Sequence, residues 1–518
     1  VKWLQPDKSV PTALLDAFGD LPAIKEIGAS LAQEIEVNAK EDAGSYPHLG
    51  LLGLRCSACT VAAAKLATIV SARGRGPLVY IVPDHSTLED VREDFIFLLG
   101  ADRVAHFPEL SVPPYSFRIP KSPIRAARIE TLAHLLPFTA GDESVEPEPQ
   151  SEPETEAKVD ISVVLATPEA LLQRIPHPDH FRRFVKRLTV GQRIEMDDLV
   201  EVLVRLGFSE QTLVGEYGDF SRRGGIVDIY SYGLVNPVRV EFDDDEIASL
   251  REFDVATQRS LNVLPAMTIL PLWEVIVDEE NWQRAEETGF LPTSGPLFEH
   301  LDMLRSEGNF EGLEWMLGGL EIPLGTILDY TGPHTAAIAE DPALLDRRLE
   351  EVRYQVRELS PFGIDESKAG ESAAVENDDD ISDSSGNDDD NADGRDSDGT
   401  QAQNRSDIAT DGWDEEDVEA LPSLFSEPDV LYVMKGSISE LLSGYPVVFM
   451  GIGTRSGLQL TEEEPSIQNL LRPQSSEAPE EGSAPTETPP DTKGWSAGDQ
   501  LNPPDPLADD LGRRKGHS

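Results

Sequence analysis

The 518 residues carry 96 acidic against 43 basic side chains, a formal net charge of −53, with 39% hydrophobic residues and 2 cysteines. That length accommodates roughly two to four domains with a sizeable core, and so few cysteines exclude a disulfide framework and point to the cytoplasm. No apolar run reaches membrane-spanning length and no signal-peptide pattern opens the chain, so no membrane partner is expected; the charge repels nucleic acid and phosphate ligands wherever no local basic patch intervenes.

The charge is unevenly placed. Asp142–Asp160 holds 8 acids and 1 base, Glu366–Glu419 holds 20 and 3, and Thr461–Ser518 holds 12 and 5, together more than half of the excess. The patterned remainder is acidic too, and its arginines outnumber its lysines. Such a surface suits a high-salt cytoplasm, where screening suppresses self-repulsion.

Leu14–Ile35 reads as one or two amphipathic helices. An α/β pattern follows: helix Thr60–Arg73, buried strand Leu78–Val82, helix Ser86–Leu99, strand Arg103–Phe107, helix Ser122–Leu136 and strand Val163–Ala166. Strands alternating with helices predict a parallel sheet covered on both faces. The Pro/Glu-rich "GDESVEPEPQSEPETEAK" falls between a helix and a strand, as a surface insertion would. His177 and His180 stand in a Pro-rich turn and are expected to face solvent.

From Leu188 the texture changes. A helix ends at Gly207, and short alternating runs predict antiparallel strands: "GDFSRRGGIVDIYSY", "PVRVEF" and "IASLREFD", with a tight turn at Asp243–Glu246. Val238, Val240 and Phe242 then face one side, Arg239 and Glu241 the other. Strand Thr335–Ala339 and helix Pro342–Leu359 belong to a second mixed region. Glu366–Glu419 cannot bury enough apolar surface to order itself, order returns over Pro428–Gly453, and the tail reads as disordered.

Two motifs carry possible chemistry. "GLRCSACT", Gly53–Thr60, has the frame of a phosphate-binding loop, with Gly53 and Thr60 in place. Ala58, however, replaces the glycine that lets backbone N–H groups close on phosphate, and Cys59 replaces the lysine. Losing one charged hydrogen bond costs about 1.5–3 kcal/mol. The nearest acids for a magnesium partner, Glu340-Asp341, stand in the reverse of the usual order. Cys56 and Cys59 also form a C-x-x-C opening a helix, readable as a redox pair or as buried packing; two cysteines make only half a zinc site, so no metal is expected. The second motif is "SRRGG" with "PVRVEF". Arg222, Arg223 and Arg239 read either as surface salt bridges contributing little or as interface anchors, with Gly224 and Gly225 permitting close approach.

Taken together, "GDFSRRGGIVDIY", "PVRVEF", "IASLREFD", "TQRSL", "LTVGQRI" and "LVEVLVRLGF", with "FPELSVPPYSF", "RAARIETL" and "TPEALLQR" upstream in order, resemble the N-terminal module of bacterial transcription-repair coupling factors. That module is homologous to the excision-repair protein UvrB. The resemblance runs from Gly50 to Asn262, more loosely to Gly453. It implies a helicase-like parallel sheet with a degenerate P-loop, carrying an inserted strand-rich domain that binds the damage sensor UvrA. UvrB's damage-probing hairpin is missing after Pro114, where "YSFRIPKSPIRAARIE" passes directly into a helix.

On this resemblance the expected parts are N-terminal helices (1–45), a first α/β domain (46–175, with an acidic insertion at 141–160) and the UvrA-binding domain (176–270). The second half of the α/β unit follows (271–363 and 428–460), with an acidic insertion (364–427) and a tail (461–518). The family's UvrA-contacting arginines fall on Arg223 and Arg239, and Asp243 occupies its aromatic contact position. Full-length relatives continue into an RNA-polymerase-binding domain and a double-stranded-DNA translocase using ATP and magnesium. No intact G-x-x-x-x-G-K-[ST] occurs here, so the expectation is a non-catalytic chain without cofactor, ending in the linker after the UvrB-like module. Two rival readings are a UvrB-like ATPase and an acidic nucleic-acid mimic.

Overall fold

The computed structural model describes residues 9–38, 48–54, 57–72, 76–116, 118, 120–139, 161–290, 313–332, 335–362 and 425–451. All lie in one unit, Val1–Asn469. The acidic insertion at 141–160, most of 364–427, the tail at 461–518 and Cys56 lie outside the described residues.

Along the chain, α1 (Ser9–Gly19) and α2 (Pro22–Asn38) precede β1 (His48–Leu52), α3 (Ser57–Ser71) and β2 (Leu78–Ile81). Then come α4 (His85–Leu99), β3 (Val104–Phe107), α5 (Ser122–Thr139), β4 (Val163–Ala166), α6 (Pro168–Leu172), β5 (Ile175–Pro176) and α7 (Pro178–Arg182). The strand-rich part runs from β6 (Lys186–Thr189) and α8 (Met196–Arg205) through β7 (Ser209–Glu210), β8 (Asp219–Arg223) and β9 (Ile226–Ile229). It continues with β10 (Val238–Asp243), β11 (Glu246–Phe253), β12 (Ser260–Leu264) and β13 (Ala266–Ile269). Afterwards come α9 (Glu279–Glu287), β14 (Leu324–Gly325), α10 (Ile327–Thr331), β15 (Ala336–Glu340) and α11 (Pro342–Leu359). Two single-turn helices, α12 (Pro428–Leu431) and α13 (Ile438–Leu441), lead to β16 (Val447–Gly451).

Six strands form a parallel sheet in the order β1-β16-β15-β2-β4-β3. Strand alternation sends Tyr80, Val163, Ile338 and Val448 to one face, under α1 to α4, and Val79, Ile81, Val164 and Phe449 to the other. A strand buried on both faces shows a continuous apolar run, which is why "LVYI" and "VVLA" were legible as strands. Local chemistry sets the helix ends. The Asp84 side chain accepts from the Thr87 N–H at 2.8 Å to start α4, and Gly100, at φ 95°, lets the chain leave it.

The second sheet runs β12-β11-β10-β9-β8-β7, antiparallel except for β7 with β8. The turn expected at Asp243–Glu246 is a two-residue hairpin loop between β10 and β11, with Asp244 at φ 61°. At both ends of the sheet's excursion β6 pairs with β13, so the chain leaves and re-enters the parallel-sheet part through one pinch. One apolar cluster joins the parts, from Val79 and Ile129 to Leu199, Val227, Val240 and Met267. Beneath it, the fully buried Arg128 of α5 holds both carboxylate oxygens of Glu274, the Gln173 side chain and the Pro108 carbonyl.

Two expectations need correction. His180 does not face solvent: it is 3% exposed, with Nε2 2.9 Å from the Ile276 carbonyl. His177 caps α7, its Nδ1 accepting from the Asp179 N–H, and His180 turns inward against Phe184 to meet that distant carbonyl. The boundary of the acidic insertion also shifts, since Phe425 and Ser426 are buried. Ser426 N–H donates to the Trp315 carbonyl, and Phe425 packs on Tyr115.

Candidate functional site

Residues directly opposite one another in a ladder project to the same face of a sheet. In the second sheet Ser221, Asp228, Arg239 and Arg251 form one such row, and Arg223, Ile226 and Glu241 the next. Arg223 and Arg239 therefore share a face, two strands and one side-chain repeat apart, roughly 12 Å by strand geometry. The opposite face carries Phe220, Val227, Ile229, Val238, Val240 and Leu250 into the core.

Arg239 is half-buried and held firmly. Its Nε and Nη2 donate to the two Asp228 oxygens at 2.7 and 2.8 Å, and its guanidinium carbon lies 4.9 Å from the centre of the Phe253 ring. The bond to Asp228 raises the Arg239 pKa further above its ordinary value. A bidentate pair is stronger and more directional than a single contact, so the head group has one orientation. Arg223 is exposed at the end of β8, and its Nη2 donates to the Thr212 carbonyl rather than to a carboxylate.

Gly224-Gly225 make the two-residue hairpin between β8 and β9. Gly224 has φ 56°, and a Cβ on Gly225 would meet the Phe242 carbonyl at 3.4 Å. The Gly225 carbonyl accepts from the Phe242 N–H at 2.8 Å, so the third strand approaches closely at this point. Arg222 points to the other face, where it pairs with Asp197 of α8 at 2.6 Å. Asp243 is exposed in the same alternation as Arg239 and Glu241, while Phe242 packs partly buried toward the core.

Two participants went unsingled in the sequence. Asp228 is an acid inside the apolar run "IVDI", and that oddity was its signal. Arg251 sits opposite Arg239 on β11, 3.6 Å from Glu241 and with Nε on the Ser249 hydroxyl. Its placement depends on the strand register, which a single strand does not disclose.

The loop resembling a phosphate site lies elsewhere, at the end of β1. Gly53 has φ 88° and its N–H donates to the Gly451 carbonyl at 3.0 Å. Ala58 is half-buried in the first turn of α3, while Cys59 and Thr60 are each 2% exposed. Helices α1 and α2 cover α3 through Leu15, Ile24, Ile27 and Leu31, with Asp16 3.4 Å from Lys65. The acids at the end of β15 are engaged: the Tyr80 hydroxyl donates to Glu340 at 2.7 Å, and Asp341 caps α11. Among the described residues no cluster of His, Cys, Asp and Glu could hold a metal ion.

Residues 187–274, which span the second sheet and its pinch, match the UvrB interaction domain family. The transcription-repair-coupling factor of Myxococcus xanthus is 30% identical over 303 residues, 55% of this chain and 24% of that protein. That of Bacillus subtilis is 26% identical over 335 residues, 61% of this chain and 26% of that protein. The chain is a relative of the transcription-repair-coupling factors. It spans about a quarter of the length of these relatives. The match to the UvrB interaction domain covers Arg222, Arg223, Gly224, Gly225, Arg239 and Asp243 together, and leaves the loop at Gly53–Thr60 outside it. No helix among the described residues is long and apolar enough to cross a membrane.

Proposed function

We propose that this chain is a non-catalytic recruitment module of transcription-coupled DNA repair, docking UvrA on the outer face of its second sheet. The observation that carries the reading is the shared face of Arg223 and Arg239, within the segment matching the UvrB interaction domain. Arg239 is preorganised by Asp228 and Phe253, and Arg223 stands exposed beside a glycine hairpin that lets a partner backbone come close. Acidic or carbonyl-rich surface on the partner would complement the two guanidinium groups. In a longer protein that joins this module to a polymerase-binding domain and a DNA translocase, the same face would be masked until stalled RNA polymerase is engaged, all within the cytoplasm.

Nucleotide turnover is not part of the proposal. Cys59 brings no cation, Thr60 is buried, and Glu340 and Asp341 already have partners. ATP and magnesium would serve the translocase part of the relatives. The test is capture of purified UvrA by the immobilised chain, comparing wild type with Arg223→Glu. Lost capture with unchanged thermal unfolding supports the proposal, and undiminished capture refutes it.

A further inference from the structure

A second feature lies where the strand-rich part rejoins the parallel-sheet part. A cavity of about 50 Å³ opens there, walled by Leu110, Ile175, Val275, Leu313 and Leu317 and flanked by Arg125 and Arg174. The two arginines are unusual in a chain with more than twice as many acids as bases. The Nε of each is buried and finds no acceptor among the described residues. Neither side chain is in an ion pair among those residues.

The nearby acceptors are already used. Glu274 and Gln173 line the cavity, yet both accept from Arg128 beneath it. Glu314 also lines it and has a contact of its own. Arg125 is held in place by stacking, its guanidinium carbon 4.4 Å from the centre of the Trp273 ring. Buried donors without acceptors are uncommon in folded proteins and call for a partner.

We propose that this cavity binds a small oxyanion, phosphate or carboxylate, between the guanidinium groups of Arg125 and Arg174. Guanidinium is the cation best matched to two-oxygen anions, and apolar walls strengthen each hydrogen bond made against them. The volume exceeds the ~10–15 Å³ that one water needs and leaves no room for a nucleotide. The site is independent of the docking face, so either can fail without the other. An anion held there would tie Arg125 of α5 to Arg174 in the connection between α6 and β5, beside the segment leaving β13, so occupancy would stiffen these elements against one another.

The test uses the full chain at constant ionic strength, with inorganic phosphate, acetate or chloride as the added anion. Phosphate or acetate is expected to raise Tm by about 2–4 °C over chloride, and Arg174→Gln and Arg125→Gln to remove that rise. A rise with phosphate alone identifies a phosphate site, and one with acetate alone a carboxylate site. Phosphorus NMR of inorganic phosphate with the wild-type chain gives a reading that needs no variant: line broadening reversed by sulfate is expected. Equal Tm in all three anions with no broadening overturns the proposal, as does a full rise retained in both variants.

Discussion

Arg239 faces Asp228 across the β9–β10 ladder, and two of its guanidinium nitrogens reach the two oxygens of that carboxylate. The pair sits on the outer face of the sheet, at the centre of the row that also holds Ser221 and Arg251. Asp228 therefore has two consequences: it neutralises a half-buried cation, and it fixes the direction in which that cation is offered to a partner.

Asp228→Ala should separate those consequences. Leaving Arg239 without its counter-charge is expected to lower stability by about 2 kcal/mol in urea unfolding. UvrA binding should weaken further than the unfolded fraction accounts for, because the head group loses its fixed orientation. Binding that merely follows the folded fraction would show that Asp228 has a stability role only.

Arg128→Met removes the guanidinium that holds Glu274, Gln173 and the Pro108 carbonyl. It leaves Glu274, 11% exposed, without its bidentate partner. The expected loss is about 3–5 kcal/mol, seen as a large fall in Tm. A change below about 1 kcal/mol, the range of exposed pairs, would mean that the network is dispensable.

Stability against pH should have two opposed components. Burial, with Glu109 adding to it, pushes the Glu169 carboxyl up to about 7. Its raised folded pKa gives stability that is complete below the ordinary carboxyl range and lost as pH rises to about 7. Burial, with Arg92 and His85 adding to it, lowers the His106 pKa to about 4. The unfolded chain takes up that proton first, so this part is present above about 6.5 and lost as pH falls toward 4. Glu169→Gln should therefore be more stable than wild type above pH 7, by up to about 3 kcal/mol, and should gain stability more steeply between pH 5 and 7. Parallel unfolding curves for the two proteins across that range would contradict the assignment.

ATP should neither bind nor turn over at the β1–α3 loop. Fluorescent nucleotide titration and phosphate release are expected to show no signal above buffer, with Thr60→Ala indistinguishable from wild type. Hydrolysis abolished by Thr60→Ala would establish an enzyme instead.

Much of the fold was readable because its signals are local. Buried runs such as "LVYI" and "VVLA" and the turn at Asp244 each specify structure within a few residues. The alternation of Val238, Arg239 and Val240 placed Arg239 outward, and the sheet keeps it there. What pairing decides could not be read: Asp228 under Arg239, Arg251 beside it, and Arg222 turned away to Asp197. His180 misled for the same reason, since the acceptor that fixes it inside, the Ile276 carbonyl, is 96 residues away in sequence.

The most direct measurement of the central claim is the affinity of UvrA for the chain, wild type against Arg223→Ala and Arg239→Gln, at fixed salt. Each substitution should weaken binding by at least about 2 kcal/mol, some 30-fold, while Arg223→Ala leaves unfolding within about 0.5 kcal/mol of wild type. Affinities equal to wild type in both variants would mean that UvrA, if it docks, does so on another surface.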